Sequence, residues 1–142
     1  MPRKRKTEKT PRQKAIEKLD DIFSKYIRLR DCDSEWIVIC PLCWAKKHRK
    51  ESQNMHFISR WVLKYRFDED NCHAWCMRCN VILNWNYMRY TRRMIEMYGI
   101  KKVDEMMNDK SVYSIKTYEL EEMIDNYEKL VKAIASRKHL DV

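Results

Sequence analysis

The stretch NCHAWCMRCN, Asn71 to Asn80, contains a Cys-x-x-Cys pair beside a histidine and two asparagines. A second pair, CPLC, lies upstream, and thirty-two residues separate the two pairs. Each Cys-x-x-Cys turn directs two sulfurs at one ion, and Zn²⁺ binds four thiolates in a tetrahedron at about 2.3 Å. Iron–sulfur ligation and unliganded core cysteines are the alternatives. We predict a structural zinc site with the ligands Cys40, Cys43, Cys76 and Cys79.

Two further cysteines, Cys32 and Cys72, lie outside these pairs, and we expect both to be buried, inert thiols. The chain has no apolar run near the twenty residues that a membrane span requires, and no signal-peptide core. Six cysteines without a secretion signal are typical of a reducing compartment, which favours metal ligation over disulfides. These features predict a soluble, cytoplasmic protein without a membrane partner.

The composition of the chain, 142 residues with 44% hydrophobic and a net charge of +9, predicts one domain with a small core and an acidic polymer as partner. Basic charge also suits an anionic membrane surface. The charge is +7 over residues 1–30, zero over 31–70, +3 over 71–110 and −1 over 111–142. Residues 1–14 predict a disordered basic arm that contacts DNA phosphates, with a solubilising tail or an import-like cluster as the alternative.

Apolar periodicity predicts helices on both sides of the segment that is rich in His, Cys and Trp. One helix is expected from Ala15 to Arg30, and a second from the residues after Asn80 to Gly99. Gly99 is the only glycine of the sequence, and we expect it to be the C-cap of this second helix. A last helix is expected from about Ile115 to Ser136. Residues 36–40, WIVIC, form a β-rich run, and we expect the remainder up to about residue 80 to be irregular.

A series of short motifs runs through the same segment. They are YxRLRD (residues 26–31), HFxSR (56–60), RFD (66–68), NxHxxCxxCN (71–80), Asn86, Tyr90 and MIEMYGIKKVDEM (94–106). In this order and spacing the chain resembles, over roughly residues 20–107, the NinG/Rap family of phage recombination nucleases, a branch of the HNH superfamily.

The resemblance implies a particular fold and activity. The fold is α+β, a small zinc-stabilised ββα-metal (HNH or treble-clef-like) core with flanking α-helices. The core with its N-terminal helix would occupy residues 15–110, followed by a C-terminal helical element over 111–142. The implied activity is Mg²⁺- or Mn²⁺-dependent nicking of branched DNA, such as Holliday junctions or D-loops, in the cytoplasm of a bacterium or phage-infected host.

The catalytic residues implied by the HNH pattern fall in the same segment. His56 is expected to be the general base, and Asn71 to brace the loop that orients it, with an Asx turn as the alternative for Asn71. Asn80 would be a ligand of Mg²⁺, and His73 would bind the same metal or steady the phosphate, zinc capture being its alternative. Met55 stands where many HNH nucleases have an aspartate ligand, so the pattern does not identify the full set of metal ligands.

Basic residues around these positions are expected to hold the DNA backbone rather than read bases. They are Arg60, Lys64, Arg66, Arg89, Arg92 and Arg93, with Asn86 as a further contact. Four aromatic residues lie among them, of which we expect at least half to be core and the others to stack on bases unpaired at a branch point. These are Trp61, Tyr65, Trp85 and Tyr87.

The sequence therefore predicts a zinc-stabilised endonuclease, and two other functions stay open. A non-catalytic zinc module that binds DNA is favoured by the missing aspartate. A protein-interaction adaptor would use the C-terminal helix as its docking surface. The many apolar side chains of residues 115–136 suggest a homodimer with two active sites for a four-way junction, although the same stripe can close the core of a monomer.

Overall fold

The computed structural model describes residues 6–81 and 83–139, and the side chains of residues 83–86 lie outside this description. The described chain is α+β, with six α-helices and two antiparallel strand pairs. The helices are α1 (Pro11–Asp31), α2 (Leu63–Arg66), α3 (Met77–Val81), α4 (Leu83–Tyr98), α5 (Ile100–Asn108) and α6 (Thr117–Arg137). The strands are β1 (Ile37–Ile39), β2 (Lys46–His48), β3 (Ser52–His56) and β4 (Cys72–Cys76). A single 3₁₀ turn, Arg49–Glu51, joins β2 to β3.

Helix α1 begins at Pro11, four residues before the predicted start. Thr10 accepts a hydrogen bond from the N–H of Gln13, and the Gln13 side chain accepts one from the N–H of Thr10, which together form a capping box. Proline is well suited to the first helical position because its missing N–H would be unpaired there in any case. Residues 11–14 therefore belong to the helix rather than to the predicted arm, of which residues 1–5 lie outside the described residues.

The segment expected to be irregular contains two strand pairs. Strand β1 pairs with β2, and β3 pairs with β4 in the register Ser52↔Cys76 to His56↔Cys72. The β3–β4 pair is followed directly by α3 and α4. In a strand, successive side chains point to opposite faces, so this register decides which residues can meet. His56 and Cys72 share one face, and Met55 and His73 share the other.

Each face of the β3–β4 pair covers its own hydrophobic core. On one side, helices α1 and α6 pack together and enclose the strand residues Cys72 and Ala74. On the other side, helices α4 and α5 enclose Met55 and Trp75 together with three of the paired cysteines. Burying a large apolar side chain completely contributes about 1.5 to 3 kcal/mol, so both sets of helices stabilise the strand pair.

The apolar stripe of α6 is buried within the same chain. Its buried side chains, which belong to the core that α1 shares, are Leu120, Ile124, Tyr127, Val131, Ile134 and Ala135. The prediction of this helix is confirmed to within two residues at its start and one at its end. Because the stripe closes the core of its own chain, it does not by itself support the predicted homodimer.

Residues of two motifs, YxRLRD and MIEMYGIKKVDEM, fix the ends of helices α1 and α4. The Arg30 side chain donates to the backbone carbonyls of Glu69 and Cys72, and the Asp31 carboxylate accepts from the N–H of Ala74 at 2.9 Å. The end of α1 is thereby fixed to strand β4. Gly99 has a φ of +87°, and its N–H donates to the carbonyl of Ile95, so the predicted role of this glycine in ending α4 is confirmed.

Among the described residues, none of the helices has the length and apolar character required to cross a lipid bilayer.

Candidate functional site

The four paired cysteines come together at one end of the β3–β4 pair. Cys40 and Cys43 lie in the turn after β1, Cys76 ends β4, and Cys79 lies in α3. All four Sγ atoms lie within 4.8 Å of one another, and those of Cys43 and Cys76 are 3.6 Å apart. Zinc–sulfur bonds of about 2.3 Å in a tetrahedron place the sulfurs about 3.8 Å apart. The arrangement therefore fits a closed, structural zinc site.

The surroundings of these thiols lower the pKa of one of them, Cys43. Burial raises the pKa of Cys43, but the backbone N–H of Ala45 and the neighbouring thiols outweigh it and lower the pKa to about 7. Burial raises the pKa values of Cys40 and Cys79. A bound cation would favour deprotonation of all four thiols.

The two remaining cysteines lie apart from this cluster. Both Cys32 and Cys72 are buried, as predicted. Burial raises the pKa of each thiol, so both are protonated at neutral pH. A protonated, buried thiol is a poor nucleophile and a poor metal ligand, which supports the prediction that they are inert.

His56 ends strand β3 and is held by one backbone hydrogen bond. Its Nε2 lies 2.9 Å from the carbonyl oxygen of Arg66, and since a carbonyl can only accept, Nε2 carries the proton. Nδ1 is then the nitrogen that holds a lone pair. Burial lowers the pKa of His56, while the Arg66 carbonyl acts in the opposite direction. The imidazole is therefore neutral at pH 7 and has one basic nitrogen.

Asn71 braces the loop that follows His56. Its Oδ1 accepts from the N–H of Ile58 at 2.7 Å, and its Nδ2 donates to the carbonyls of Ile58 and Tyr65, both at 3.0 Å. Asn71 is fully buried, so these bonds are shielded from water. The Asn71 amide thus joins Ile58, at the start of the loop, to Tyr65. The next residue is Arg66, and its carbonyl orients His56. The Asx turn expected as an alternative is made instead by Asp68, which accepts from the N–H of Asp70.

His73 occupies the other face of the strand pair and is fully engaged there. The Tyr90 hydroxyl donates to the carbonyl of Met55, so it accepts from Nδ1–H of His73 at 3.1 Å. Nε2 then accepts from the Tyr98 hydroxyl at 2.8 Å. Burial lowers the pKa of His73 to about 4, so the ring is neutral at pH 7. Tyr90 and Tyr98 belong to the motifs named above, but their contact with His73 was not predicted, because they lie 17 and 25 residues further along the chain.

The residues predicted to form one catalytic centre are therefore divided between two faces. His56 lies opposite Cys72, on the face of the strand pair that packs against α1. Asn80 lies within α3 and donates to the side chain of Gln53, which shares a face with Met55 and His73. The expectation that His73 and Asn80 bind a metal beside His56 does not fit this arrangement, because the strand pair separates them and both nitrogens of His73 already have partners.

A polar groove lies on the same face as His56, between α1 and β3. It has a volume of about 440 Å³ and is lined by Lys9, Glu17, Asp20, Asp21, Ser24, Asn54 and Arg60. Two of its carboxylates are already paired, Asp20 with Arg60 and Arg66, and Glu17 with Lys9. These ion pairs neutralise much of the negative charge, so the groove does not identify a set of metal ligands.

Comparison with known proteins places the chain in a family. A family profile described as "NinG: Bacteriophage Lambda NinG protein" matches residues 1–137. The chain belongs to the NinG family. It is also 27% identical over 128 residues to "Protein ninG" of Salmonella phage P22; the match covers 90% of this chain and 61% of that protein, so the chain spans less than two thirds of this relative. No solved structure matches the chain.

The basic residues predicted to bind DNA differ in their surroundings in this NinG-family chain. Arg66 is largely buried and donates to Asp20 at 2.9 and 2.5 Å, and Arg60 donates to the same carboxylate at 3.2 Å. Lys64 pairs with Asp109 at 2.5 Å. These three side chains tie the loop after His56 to α1 and to the segment after α5, so Arg66 in particular is a structural residue.

Helix α4 presents the other predicted contacts. Arg89 and Arg92 are exposed, and Arg92 lies 3.7 Å from Glu96 on the next turn. Arg93 is half-buried and pairs with Glu96 at 3.2 Å. The predicted contact by Asn86 lies outside the described residues. Arg89 and Arg92 are therefore the members of the predicted set that face solvent on this helix.

The predicted stacking residues divide between core and surface. Tyr65 is buried, and its hydroxyl donates to Asp109 at 2.6 Å. Tyr87 stacks on Phe57, with ring centroids 5.4 Å apart. Trp61 is 82% exposed and lies in the loop after His56, whereas the side chain of Trp85 lies outside the described residues. Trp61 is thus the aromatic side chain of this set that is most available to a ligand.

Proposed function

We propose that this NinG-family chain is a zinc-stabilised, HNH-type DNA endonuclease of phage or prophage origin that cuts branched recombination intermediates. The observation that carries the proposal is the pairing of His56 with a buried asparagine brace on a strand pair whose opposite end holds a four-thiol cluster. The Arg66 carbonyl fixes the tautomer of His56, and Asn71 fixes the loop that supplies this carbonyl. An imidazole held in this way is a suitable general base.

His56 would act through its unprotonated Nδ1. Nδ1 takes a proton from a water molecule, and the resulting hydroxide attacks the phosphorus of a phosphodiester. The bond from phosphorus to the leaving oxygen then breaks, and the leaving oxygen takes a proton from solvent. Because burial lowers the pKa of His56, the base is ready at neutral pH. General-base catalysis of this kind is typically worth about 10²- to 10⁴-fold.

Zinc in this proposal is structural. A closed site of four thiolates leaves no coordination position for water, so zinc would hold the turn of Cys40 and Cys43 against β4 and α3 and take no part in cleavage. The proposal also includes a requirement for Mg²⁺ or Mn²⁺. This requirement is based on the resemblance to HNH nucleases, in which such a cation stabilises charge on the leaving oxygen. Because both nitrogens of His73 and the side-chain amide of Asn80 have partners within the protein, the proposal gives these two residues structural roles.

Branched DNA is proposed as the substrate because the loop after His56 presents an aromatic side chain to solvent. Trp61 is exposed, and the guanidinium groups of Arg60 and Arg66 lie 5.7 and 6.0 Å from its ring. A base that is unpaired at a branch point can stack on such a ring, whereas a base in continuous duplex cannot. The +7 charge of residues 1–30 and the exposed arginines of α4 would hold the phosphates.

A second candidate function is a zinc module that binds DNA without cutting it. The observation in its favour concerns Met55, which stands where many HNH nucleases have an aspartate. Its side chain is buried in the core that α4 covers, and it pairs with His73 across the strands. The position is thus part of the packing and offers no oxygen ligand.

One experiment distinguishes these functions. The purified protein is incubated with labelled linear, forked and four-way DNA of equal length in Mg²⁺, in Mn²⁺ and in EDTA. The endonuclease proposal predicts cleavage of the branched substrates in the presence of a divalent cation. Binding without cleavage in either metal would favour the non-catalytic module. An absence of salt-dependent DNA binding would leave the protein-interaction adaptor.

A further inference from the structure

Trp44 follows the first cysteine pair and has an unusual backbone conformation. The N–H of Cys40 donates to the carbonyl of Ala45, and the N–H of Trp44 donates to the carbonyl of Cys40, both at 2.9 Å. This tight turn gives Trp44 a φ of +62°. Glycine adopts such a conformation without strain, whereas a bulky side chain rarely does. The turn alone would therefore be better served by a glycine at this position.

The side chain of Trp44 gains little packing that would offset this strain. It is 62% exposed to solvent. Trp36, which has a φ of +68°, provides a comparison within the same chain. The Trp36 ring is covered by Arg49 at 4.2 Å and stacks on His48 at 6.0 Å, and it packs against the core of α1 and α6. Packing explains a tryptophan at position 36 but not at position 44.

Within the described part of the chain, the Trp44 ring has one cationic neighbour, and three further exposed basic residues belong to the strand after it or to the second cysteine pair. The guanidinium of Arg93, on helix α4, lies 5.0 Å from the ring centroid. Lys46 and Lys47 are exposed on β2, two and three residues after Trp44, and Arg78 is exposed within the second cysteine pair. Glu96, on the same helix, pairs with Arg93 at 3.2 Å. An exposed aromatic ring with positive charge around it complements a polyanion that carries flat rings.

We propose that Trp44 and Arg93 form a stacking site for an unpaired base of single-stranded DNA, with Lys46, which shares the exposed face of its strand pair with Ile39, beside the phosphates. The proposal rests on the DNA binding put forward above but requires no cleavage. In this proposal the turn from Cys40 to Trp44 has a second role besides holding zinc. It binds a single strand that leaves the branch point. This site lies in a different part of the fold from Trp61 and the loop after His56.

The test compares single-stranded DNA with duplex of the same length by fluorescence anisotropy at several salt concentrations. In W44G the ring is removed and the strain of the turn is relieved, so the fold and the zinc content should be retained. A stacked base is worth about 5- to 100-fold in affinity, and W44G should weaken single-strand binding by that factor while changing duplex binding less than about twofold. W44F, which keeps an aromatic ring, should restore most of the affinity.

Two further variants keep the test decisive. R93M removes the charge but keeps much of the side-chain volume, lies outside the zinc turn, and should weaken single-strand binding several-fold. Y118A is the matched control, because Tyr118 is also exposed and also has a cationic partner, Lys116 at 6.0 Å, but lies on α6. It should leave both affinities unchanged.

The outcomes separate this inference from the proposed function. If W44G and R93M bind single strands as tightly as the wild type while branched DNA is still bound and cut, only the stacking site is wrong. An equal loss on duplex and single strand would also overturn it, because stacking requires an unpaired base. If the wild type binds no DNA at all, both the stacking site and the proposed function are wrong.

Discussion

Replacing Asn71 by alanine should lower the stability of the protein substantially, because its side-chain amide braces the loop between β3 and β4. Three hydrogen bonds of 2.7, 3.0 and 3.0 Å would be lost, to the N–H and C=O of Ile58 and to the carbonyl of Tyr65. A hydrogen bond contributes about 0.5 to 1.5 kcal/mol net, and each partner left unpaired in the interior adds about 1 to 3 kcal/mol to the cost. We therefore expect the free energy of unfolding to fall by about 3 to 5 kcal/mol, out of a total of roughly 5 to 15 for a typical domain.

The assay is urea unfolding of the zinc-loaded protein at pH 7.5, followed by tryptophan fluorescence. Asn108→Ala is the matched control, since Asn108 is an exposed amide that donates a single bond of 2.8 Å to the carbonyl of Asp104. The control should change stability by about 0.5 kcal/mol or less. If Asn71→Ala unfolds within about 1 kcal/mol of the wild type, Asn71 does not brace the loop, and the orientation of His56 requires another explanation.

Three further outcomes are expected. Cys79→Ser should lose about one zinc per chain by elemental analysis and unfold, whereas Cys72→Ser should keep its zinc; equal loss from both would overturn the ligand assignment. His73 has a pKa of about 4 in the folded chain and about 6.5 when unfolded, so the stability it contributes is present above pH 6.5 and is lost as the pH falls toward 4. Between pH 7.5 and 5 the free energy of unfolding, measured in urea, should fall by about 2 kcal/mol more in the wild type than in His73→Gln. Equal decreases in the two proteins would show that His73 is not buried and neutral. Arg66→Ala should lower the unfolding midpoint and Arg89→Ala should weaken DNA binding with a smaller salt slope, and the reverse pattern would contradict the roles given to the two arginines.

The features that could be predicted from the sequence are local ones. The spacing within each Cys-x-x-Cys pair is typical of a metal-binding turn, and the four sulfur atoms lie within 4.8 Å of one another. The helices α1 and α6 carry continuous apolar stripes, and their predicted positions are close to those observed. Gly99 ends α4 as predicted, because a positive φ at a helix end strongly favours glycine.

The pairing of β3 with β4 could not be predicted by the same means. Strand β3 has the sequence SQNMH, which has neither the β-branched residues nor the alternating polarity that indicate a strand. Its partner begins sixteen residues after it ends, so no tight turn marks the pair. The strand forms because Met55 fills the core of α4 and α5 and the backbone of its partner satisfies its polar groups.

The differences between the predicted and the observed surroundings of the site residues follow from this missing register. His56 was expected to be the general base beside a metal held by His73 and Asn80, but adjacent positions of a strand point to opposite faces, and Met55 rather than His56 lies opposite His73. The ion pair of Arg66 with Asp20 joins residues 46 positions apart, which spacing along the chain cannot reveal. Asn71 was expected to brace the loop, and its three hydrogen bonds agree with that expectation, because the motif that contains it describes a local arrangement.

The measurement that tests the proposed function most directly is the single-turnover cleavage rate of His56→Ala on four-way DNA with Mg²⁺. His139→Ala is the control, since His139 is an exposed histidine at the end of α6. The proposed mechanism predicts that His56→Ala cuts about 10²- to 10⁴-fold more slowly than the wild type while binding the junction equally well, and that the control is unchanged. A His56→Ala protein that cuts at nearly the wild-type rate, or a wild-type protein that binds the junction and never cuts it, would contradict the assignment of His56 as the catalytic base.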